Sequence, residues 1–437
     1  MDYHRNLLDL HRLNPQRYPF LLQSVAHGTA QARYDILFAF PQQRVTLQAG
    51  EPADFLAVLD REWRAARVDM ADTASPFHGG WFLYLSYELA AQIEPRLAQL
   101  PLPTGLPIAQ AVRVPVAIVK DHLRQSVEFV VEPGFEHLRA TLEQDWAQAK
   151  PAVIPERALH VGPMREDDPQ QFLHAVQRIK NYIVAGDVFQ VNLSRRGWCE
   201  LLDEVSDADL YARLCRANPA PFAALAVLGE STIISSSPER LVCVRNGVIE
   251  TRPIAGTRPR GATALEDQAN LRELSAHPKE RAEHIMLVDL ERNDLGRVCV
   301  TGSVQVDELL GVESYTHVHH LVSNIRGNLR ADVTPGDVIR AVFPGGTITG
   351  CPKVRCMEII AELERAARGA YTGAVGYLNH DGSMDLNILI RTLVRTGARV
   401  EWRAGAGIVA DSISERELDE TRAKARGLLR ALSGTRA

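Results

Sequence analysis

Two dipeptides limit what this chain can fold into more than any other feature. Asn246-Gly247 separates the runs Leu241–Arg245 and Val248–Arg252, and Asp381-Gly382 separates Ala374–Leu378 from Leu386–Arg391. Asn-Gly and Asp-Gly accept the positive φ of a tight two-residue hairpin, so each predicts a pair of antiparallel strands. Helical periodicity surrounds them, at Pro169–Ala185, Asp207–Arg216, Pro278–Leu290, Pro335–Val342, Lys353–Ala367 and Ser414–Leu432. Hairpins interleaved with helices predict an α+β fold and not a parallel βαβ sheet. Upstream lie strand-like runs at Ala32–Phe40, Trp81–Tyr87, Val114–Val119 and Val127–Val131, with a helical pattern at Ala53–Arg67. Pro151, Pro155, Pro163 and the charges around Arg165–Asp168 then break the pattern. This divides the chain into an N-terminal region 1–148, a connector 149–168 and a larger region 169–435.

Composition removes several classes of function. A net charge of −5 leaves no basic footprint for nucleic acid, and short basic spots such as Arg258-Pro-Arg260 read as solvated surface or anion contacts. No apolar run approaches the roughly 20 residues that span a bilayer. The start, Met-Asp-Tyr-His-Arg, lacks a secretory pattern. The six cysteines contain no Cys-x-x-Cys pair, which fits reduced thiols and no zinc site. The expectation is a cytoplasmic protein with neither nucleic acid nor membrane as partner.

Phe343-Pro-Gly-Gly-Thr347-Ile-Thr-Gly350-Cys-Pro-Lys353 resembles a phosphate loop, but Cys351-Pro352 stand where Lys-Ser/Thr should. Proline has no N–H to donate. What remains is a Gly-rich turn with two Thr hydroxyls opening a helix, suited to a carboxylate as well as a phosphate. Glu280 with Glu283, and Glu417 with Glu420, each share one helix face at i,i+3. Either pair alone reads first as a solvated surface. Brought together, the pairs would offer oxygens to Mg²⁺, which takes one or two carboxylates plus water and an anionic substrate. Lys424 is an i,i+4 partner of Glu420 or a substrate contact. Glu239, in Ser235-Ser-Ser-Pro-Glu239-Arg240, stands at a turn between apolar strands and is a general acid if its surroundings keep it protonated. His317, His319 and His320 form a cluster without further metal-spaced ligands. Gly405 and Gly407 permit close approach of a ligand to backbone.

These segments, in this order, resemble the chorismate-utilising enzymes: anthranilate synthase component I, aminodeoxychorismate synthase component I, isochorismate synthase and salicylate synthase. Gly186-Asp-Val-Phe-Gln190-Val-Asn-Leu-Ser-Arg195, Arg252-Pro-Ile-Ala255-Gly-Thr257, Asp289-Leu-Glu-Arg-Asn-Asp294 and His320-Leu-Val-Ser323 carry the likeness beside those above. Leu21-Leu22-Gln23-Ser24, Arg33-Tyr34-Asp35 and Gly80–Glu88 extend it more loosely upstream. The resemblance implies a two-layer β-sandwich wrapped by helices, into which the N-terminal region is merged. It implies Mg²⁺ on Glu283 and Glu420, supported through water by Glu280 and Glu417. Glu239 is then the acid for the departing hydroxyl, with His320 near the reacting ring. Gln190, Gly256, Thr257, Thr347, Tyr377, Arg391, Gly405, Gly407 and Lys424 become contacts to substrate, and Leu22 and Ser24 line an effector pocket.

Within that resemblance two positions separate the members. Hydroxylating enzymes carry a water-activating Lys where this chain has Gln190, and glutamine cannot act as that base. Most aminodeoxychorismate synthases carry a nucleophilic Lys at the position of Ala255, whereas anthranilate synthases carry Ala there like this chain. The Gly-rich turn, the segment before His320 and Arg33-Tyr-Asp-Ile-Leu resemble aminodeoxychorismate synthase instead. The activity implied is Mg²⁺-dependent amination of chorismate to 4-amino-4-deoxychorismate, for folate, with anthranilate formation as the alternative. A non-catalytic subunit binding chorismate or tryptophan is a further alternative, disfavoured by the intact Glu239, Glu283 and Glu420. No glutaminase motif is apparent, so a glutamine amidotransferase subunit (component II) is expected to supply ammonia, and a separate aminodeoxychorismate lyase to act downstream.

Overall fold

The apolar run around Val114 reads as one strand, but Pro115 cuts it into two that belong to different sheets. Ala109–Val114 pairs with Gly80–Leu85 and Arg44–Leu47, while Val116–Asp121 pairs with Tyr34–Ala39 and Ser126–Val131. Proline lacks the N–H a ladder needs, so it sits where the chain steps from one layer to the other. The computed structural model describes residues 2–26, 32–66, 75–152, 157–315 and 318–433, without the side chain of Lys279. Arg67, Pro155, Thr316 and His317 lie outside the described residues.

Among the described residues the strands form two antiparallel sheets, one of eleven and one of ten. In the first, Gln190–Glu200, Arg399–Ile408, Thr392–Thr396, Ser231–Ser237, Phe222–Leu228 and Phe20–Gln23 follow one another, and Tyr34–Ala39 and its neighbours complete it. In the second, Ile254–Pro259, Val318–Asn328, Val248–Thr251, Arg240–Arg245, Met384–Asn387, Ala374–Asn379 and Gly80–Leu85 do the same. Both expected hairpins form, at Asn246-Gly247 and Asp381-Gly382. Strands from the first 148 residues enter both sheets.

The sheets pack face to face. Phe20, Phe38 and Ile233 of one meet Phe82, Val112 and Val375 of the other, and the Phe20 and Phe82 rings stack at 4.0 Å. Helices cover the outer faces: Asp207–Ala217 and Ser414–Ser433 on the first sheet, Phe55–Ala65, Pro278–Gly296 and Pro335–Val342 on the second. With both sides covered, Ser231–Ser237 is buried at every residue. This is the α+β, helix-wrapped sandwich.

Twice the chain passes between sheets at one end of their central strands. Ser231–Ser237 leaves the first sheet through Pro238-Glu239 to become Arg240–Arg245 of the second. Met384–Asn387 returns through residues 388–391 to Thr392–Thr396. The strand expected to run on to Arg391 therefore stops at Asn387, and Arg391 takes a left-handed φ of 53°. The two passages hold each other: Ile388 N–H donates to the Glu239 carbonyl at 3.0 Å, and Ser236 N–H to the Arg391 carbonyl at 3.1 Å.

One buried carboxylate ties the N-terminal helix to a helix nearly three hundred residues later. Asp60 accepts from the Thr334 hydroxyl and the Gly336 N–H, both at 2.7 Å, at the start of Pro335–Val342. Asp60→Ala takes the acceptor from the buried Gly336 N–H, while the Thr334 hydroxyl keeps Asp337 as an acceptor at 2.9 Å. It is expected to lower unfolding free energy by about 1–3 kcal/mol in urea titration; a change within error would mean solvent replaces the carboxylate.

Candidate active site

Glu239 is carried by the Pro238-Glu239 passage into the interior, where its side chain is 5% exposed. Burial pushes its carboxyl up to about 7, against the opposing pull of the Thr347 hydrogen bond and Lys424. The Thr347 hydroxyl donates to Glu239 Oε1 at 2.6 Å. A carboxyl held near this value keeps its proton close to neutrality and can give it up there.

The Gly-rich turn delivers Thr347. A Cβ at Gly345 would stand 2.8 Å from Ile388 Cδ1, and one at Gly346 2.6 Å from Leu290 Cδ2, so glycine lets the turn enter between the passage and the helix. Thr349 closes the turn by donating to the Gly345 carbonyl at 2.8 Å. Gly350–Cys351 then pairs with Gln190 and Val191, and Pro352 is the residue just before helix Lys353–Glu364, one position ahead of the expected first turn.

On the opposite wall, Ile254–Pro259 pairs with Val318–Asn328, setting Ala255 against Leu321 and Thr257 against His320 with a bulge between. Thr257 Oγ1 and His320 Nδ1 lie 2.9 Å apart. Burial pulls the His320 imidazole down to about 4, with Arg391 adding to the effect, so the ring is neutral at physiological pH. His320, Arg391 and Pro238 line one small cavity. Arg391 also reaches Asn218 Oδ1 at 3.3 Å, and burial lowers its pKa. At the bulge, Gly256 has φ of 79°, and a Cβ there would stand 2.7 Å from Glu280 Oε2.

The floor comes from adjacent strands. A Cβ at Gly407 would lie 2.7 Å from Gln190 Nε2. One at Gly405 would lie 2.6 Å from the Tyr371 hydroxyl and 2.8 Å from Asn192 Oδ1. Tyr371 and Asn192 therefore belong to this floor, although sequence reading missed them. The signal available was Asn192 sharing a strand face with Gln190 at i,i+2. Lys424, four residues beyond Glu420, donates to the Gly405 carbonyl at 3.1 Å.

Tyr377 is placed elsewhere. Its pairing with Asp385 and Phe82 turns it between the sheets. There it lines an open-mouthed cavity of about 250 Å³ with Leu22, Ser24, Arg33 and Arg245. Ser24 is fixed in that wall, its N–H donating to Asp35 at 3.0 Å and its hydroxyl to the Pro221 carbonyl at 3.2 Å.

The four glutamates remain on their two helices. Arg258 holds Glu280 at 2.7 Å and Lys424 holds Glu420 at 2.7 Å. Glu283 and Glu417 are half-buried. Among the described residues no three His, Cys, Asp or Glu side chains are grouped closely enough to hold a metal ion. An all-oxygen set still suits a hard cation needing only one or two carboxylates. Glu280 Oε2, buried without a hydrogen-bond partner, is a donor atom of that kind.

Behind Glu239 lies Glu291, on Pro278–Gly296, whose carboxyl burial pushes up to about 8. Lys353 Nζ pairs with the neighbouring Asp294 at 2.6 Å.

The chain matches the chorismate-binding-enzyme family over residues 18–430. It is 44% identical over 369 residues to an anthranilate synthase component I-like protein of Synechocystis, covering 82% of this chain and 74% of that one. It is also 44% identical over 369 residues to aminodeoxychorismate synthase component 1 of Bacillus subtilis, covering 82% and 77%. The crystal structure of anthranilate synthase component I from Streptococcus pneumoniae superposes with a TM-score of 0.80 at 34% identity, covering 92% and 93%. Among the described residues no helix is long and apolar enough to cross a membrane.

The raised carboxyl of Glu291 has a consequence for stability. Its folded value lies above the unfolded one, so the stability linked to its proton is present in full below the ordinary glutamate range. That stability is lost as pH rises through about 8. Glu291→Gln is expected to gain roughly 2 °C or more in Tm over the wild type between about pH 5 and pH 9. A pH-independent difference would show that Glu291 is not buried as a neutral acid.

Proposed function

The chain belongs to the chorismate-binding enzymes, and from that premise we propose that it aminates chorismate at C4 to give 4-amino-4-deoxychorismate. The observation that carries this reading is the protonated Glu239, tied to Thr347, in a site whose position 190 holds glutamine and not a basic lysine. Gln190 cannot take a proton from water, so ammonia is the nucleophile that fits. The Bacillus subtilis relative and the sequence of the Gly-rich turn support C4.

In the proposed reaction Glu239 gives its proton to the C4 hydroxyl, which leaves as water. Ammonia supplies the electron pair of the new C–N bond, and the proton that nitrogen sheds restores the Glu239 acid. The Ala255 methyl offers no nucleophile, so no covalent adduct with the chain forms. Arg391 and Lys424 face the substrate's carboxylates, and Gly405 and Gly407 admit the ring against backbone. Neutral His320 adds a hydrogen-bonding group without placing a positive charge beside the C4 hydroxyl as it takes up its proton.

Mg²⁺ is part of the proposal, with Glu283 and Glu420 as ligands and Glu280 and Glu417 beside them. When bound it would neutralise and orient a substrate carboxylate. An amidotransferase subunit supplies ammonia, a separate lyase converts the product to 4-aminobenzoate, and the reaction runs in the cytoplasm.

Ala255 favours a second reading, amination with loss of pyruvate to give anthranilate. The purified chain, incubated with chorismate, Mg²⁺ and ammonium at mildly alkaline pH, separates the two by product mass. An aminated product that keeps its enolpyruvyl group is expected; anthranilate with pyruvate would overturn the assignment. Glu239→Gln keeps the shape but not the proton, and is expected to lower kcat roughly 100-fold or more. Undiminished turnover by that variant would remove Glu239 as the acid.

A further inference from the structure

We propose that Arg368, a buried residue outside the substrate site, is a positioning residue that holds three walls of that site in register. It lies between helix Lys353–Glu364 and strand Ala374–Asn379, with a side chain 1% exposed. Arginine carries five N–H donors in a rigid fork, and here five contacts use them. Nε and one terminal nitrogen form a bidentate pair with Glu364 at 3.0 and 2.7 Å. The remaining contacts reach the Ile348 carbonyl at 3.1 Å, the Asn192 carbonyl at 2.7 Å and the Thr372 hydroxyl at 3.3 Å.

Those last three acceptors are what make the fork more than an interior ion pair. Ile348 follows Thr347, which hydrogen-bonds Glu239. Asn192 and the residue before Thr372, Tyr371, both approach Gly405. One guanidinium thus fixes the Gly-rich turn, the Gln190–Glu200 strand and the Tyr371 loop to a single point. Glu364 anchors that point: it accepts from Ser194 N–H at 2.8 Å and from Arg403 at 3.1 Å. Arg403 in turn donates to the Ala367 carbonyl at 2.6 Å, next to Arg368 itself. Glu88 accepts from Arg368 N–H at 2.7 Å, and the Tyr87 and Tyr371 rings flank the guanidinium.

A lysine at 368 keeps the charge that Glu364 requires but cannot span Ile348 and Asn192 as the fork does. Loss of the Ile348 contact loosens Thr347, whose hydrogen bond favours the ionised form of Glu239. Lys424 and Glu291 also face Glu239 and are left in place. The limb on which rate falls with rising pH therefore moves to higher pH.

The inference rests on the site proposed above, and its test counts chorismate consumed with saturating ammonium and Mg²⁺, whichever aminated product forms. A wild-type chain that made anthranilate would unseat the C4 assignment and leave this test intact. In Arg368→Lys, kcat is expected to fall roughly ten- to hundredfold. KM for chorismate should change much less, and the falling limb should shift upward, as in Thr347→Val. Activity lost only in proportion to unfolded protein, with an unmoved limb, would reduce Arg368 to a stabilising ion pair and overturn the proposal. Should Arg368→Lys fail to fold, Arg368→Gln combined with Glu364→Gln removes the fork's contacts to Ile348 and Asn192 without leaving a buried carboxylate unpaired. An unmoved limb in that variant would overturn it equally.

Discussion

The two passages between sheets, at Pro238-Glu239 and at residues 388–391, are the constraint on which the rest of this molecule depends. A strand leaving its sheet strips backbone groups of their ladder partners, and buried groups must find others. Here each passage supplies the other, through Ile388 N–H to the Glu239 carbonyl and Ser236 N–H to the Arg391 carbonyl. That mutual pairing permits a passage through the interior where a surface loop would otherwise be needed. It also puts a carboxyl and a guanidinium, Glu239 and Arg391, at the same end of the central strands, on neighbouring segments tied to each other by backbone hydrogen bonds.

Burial then sets their chemistry. Removing Glu239 from water disfavours its charge more than Thr347 and Lys424 restore it, which leaves the acid form in the neutral range. The same desolvation makes His320 neutral. The Arg391 guanidinium is thus set against neutral groups in this part of the site, while Lys424 already has Glu420 as a partner at 2.7 Å. Glu364 shows the contrary outcome. Burial raises its carboxyl too, but Arg368 and Arg403 more than offset the cost and hold it below the usual range. A carboxyl with two guanidinium partners is ionised scaffold; one with a hydroxyl partner is an acid.

What was legible in the sequence was local chemistry. Asn-Gly and Asp-Gly marked both hairpins, the first as a two-residue turn with Asn246 and Gly247 both at positive φ, the second as a longer loop in which Gly382 takes positive φ and Asp381 does not. Helix Pro335–Val342 formed with the bounds read from the sequence, and the structure adds a capping box at Thr334 ahead of the first-turn proline. The acid Glu239 and the Gly-rich turn were found because both sit between well-marked elements. What failed was anything decided by which layer a residue enters. Val114–Val119 looks like one strand because apolar runs do not announce that Pro115 changes sheets. Tyr371 and Tyr377 lie six residues apart in one segment. Only the register of Ala374–Asn379 turns the second between the sheets and leaves the first by Gly405. Likewise i,i+3 spacing shows that each glutamate pair shares a face, but whether two faces meet is a tertiary fact, invisible along either helix.

Positions 190 and 255 bear on how nitrogen must arrive. Both are uncharged and neither can bind or release a proton, so in the proposed reaction the chain offers no base at the nucleophile's side. Ammonium, the dominant form in neutral water, has no lone pair with which to attack. A lysine at either position would change that balance, activating water at one or attacking the ring at the other. With glutamine and alanine there, the nucleophile must enter already deprotonated. An enclosed delivery of free ammonia from an amidotransferase meets that need better than ammonium from solution. In the proposed reaction, a division of labour between a chain that holds the acid and a partner that makes the base would follow from these two side chains.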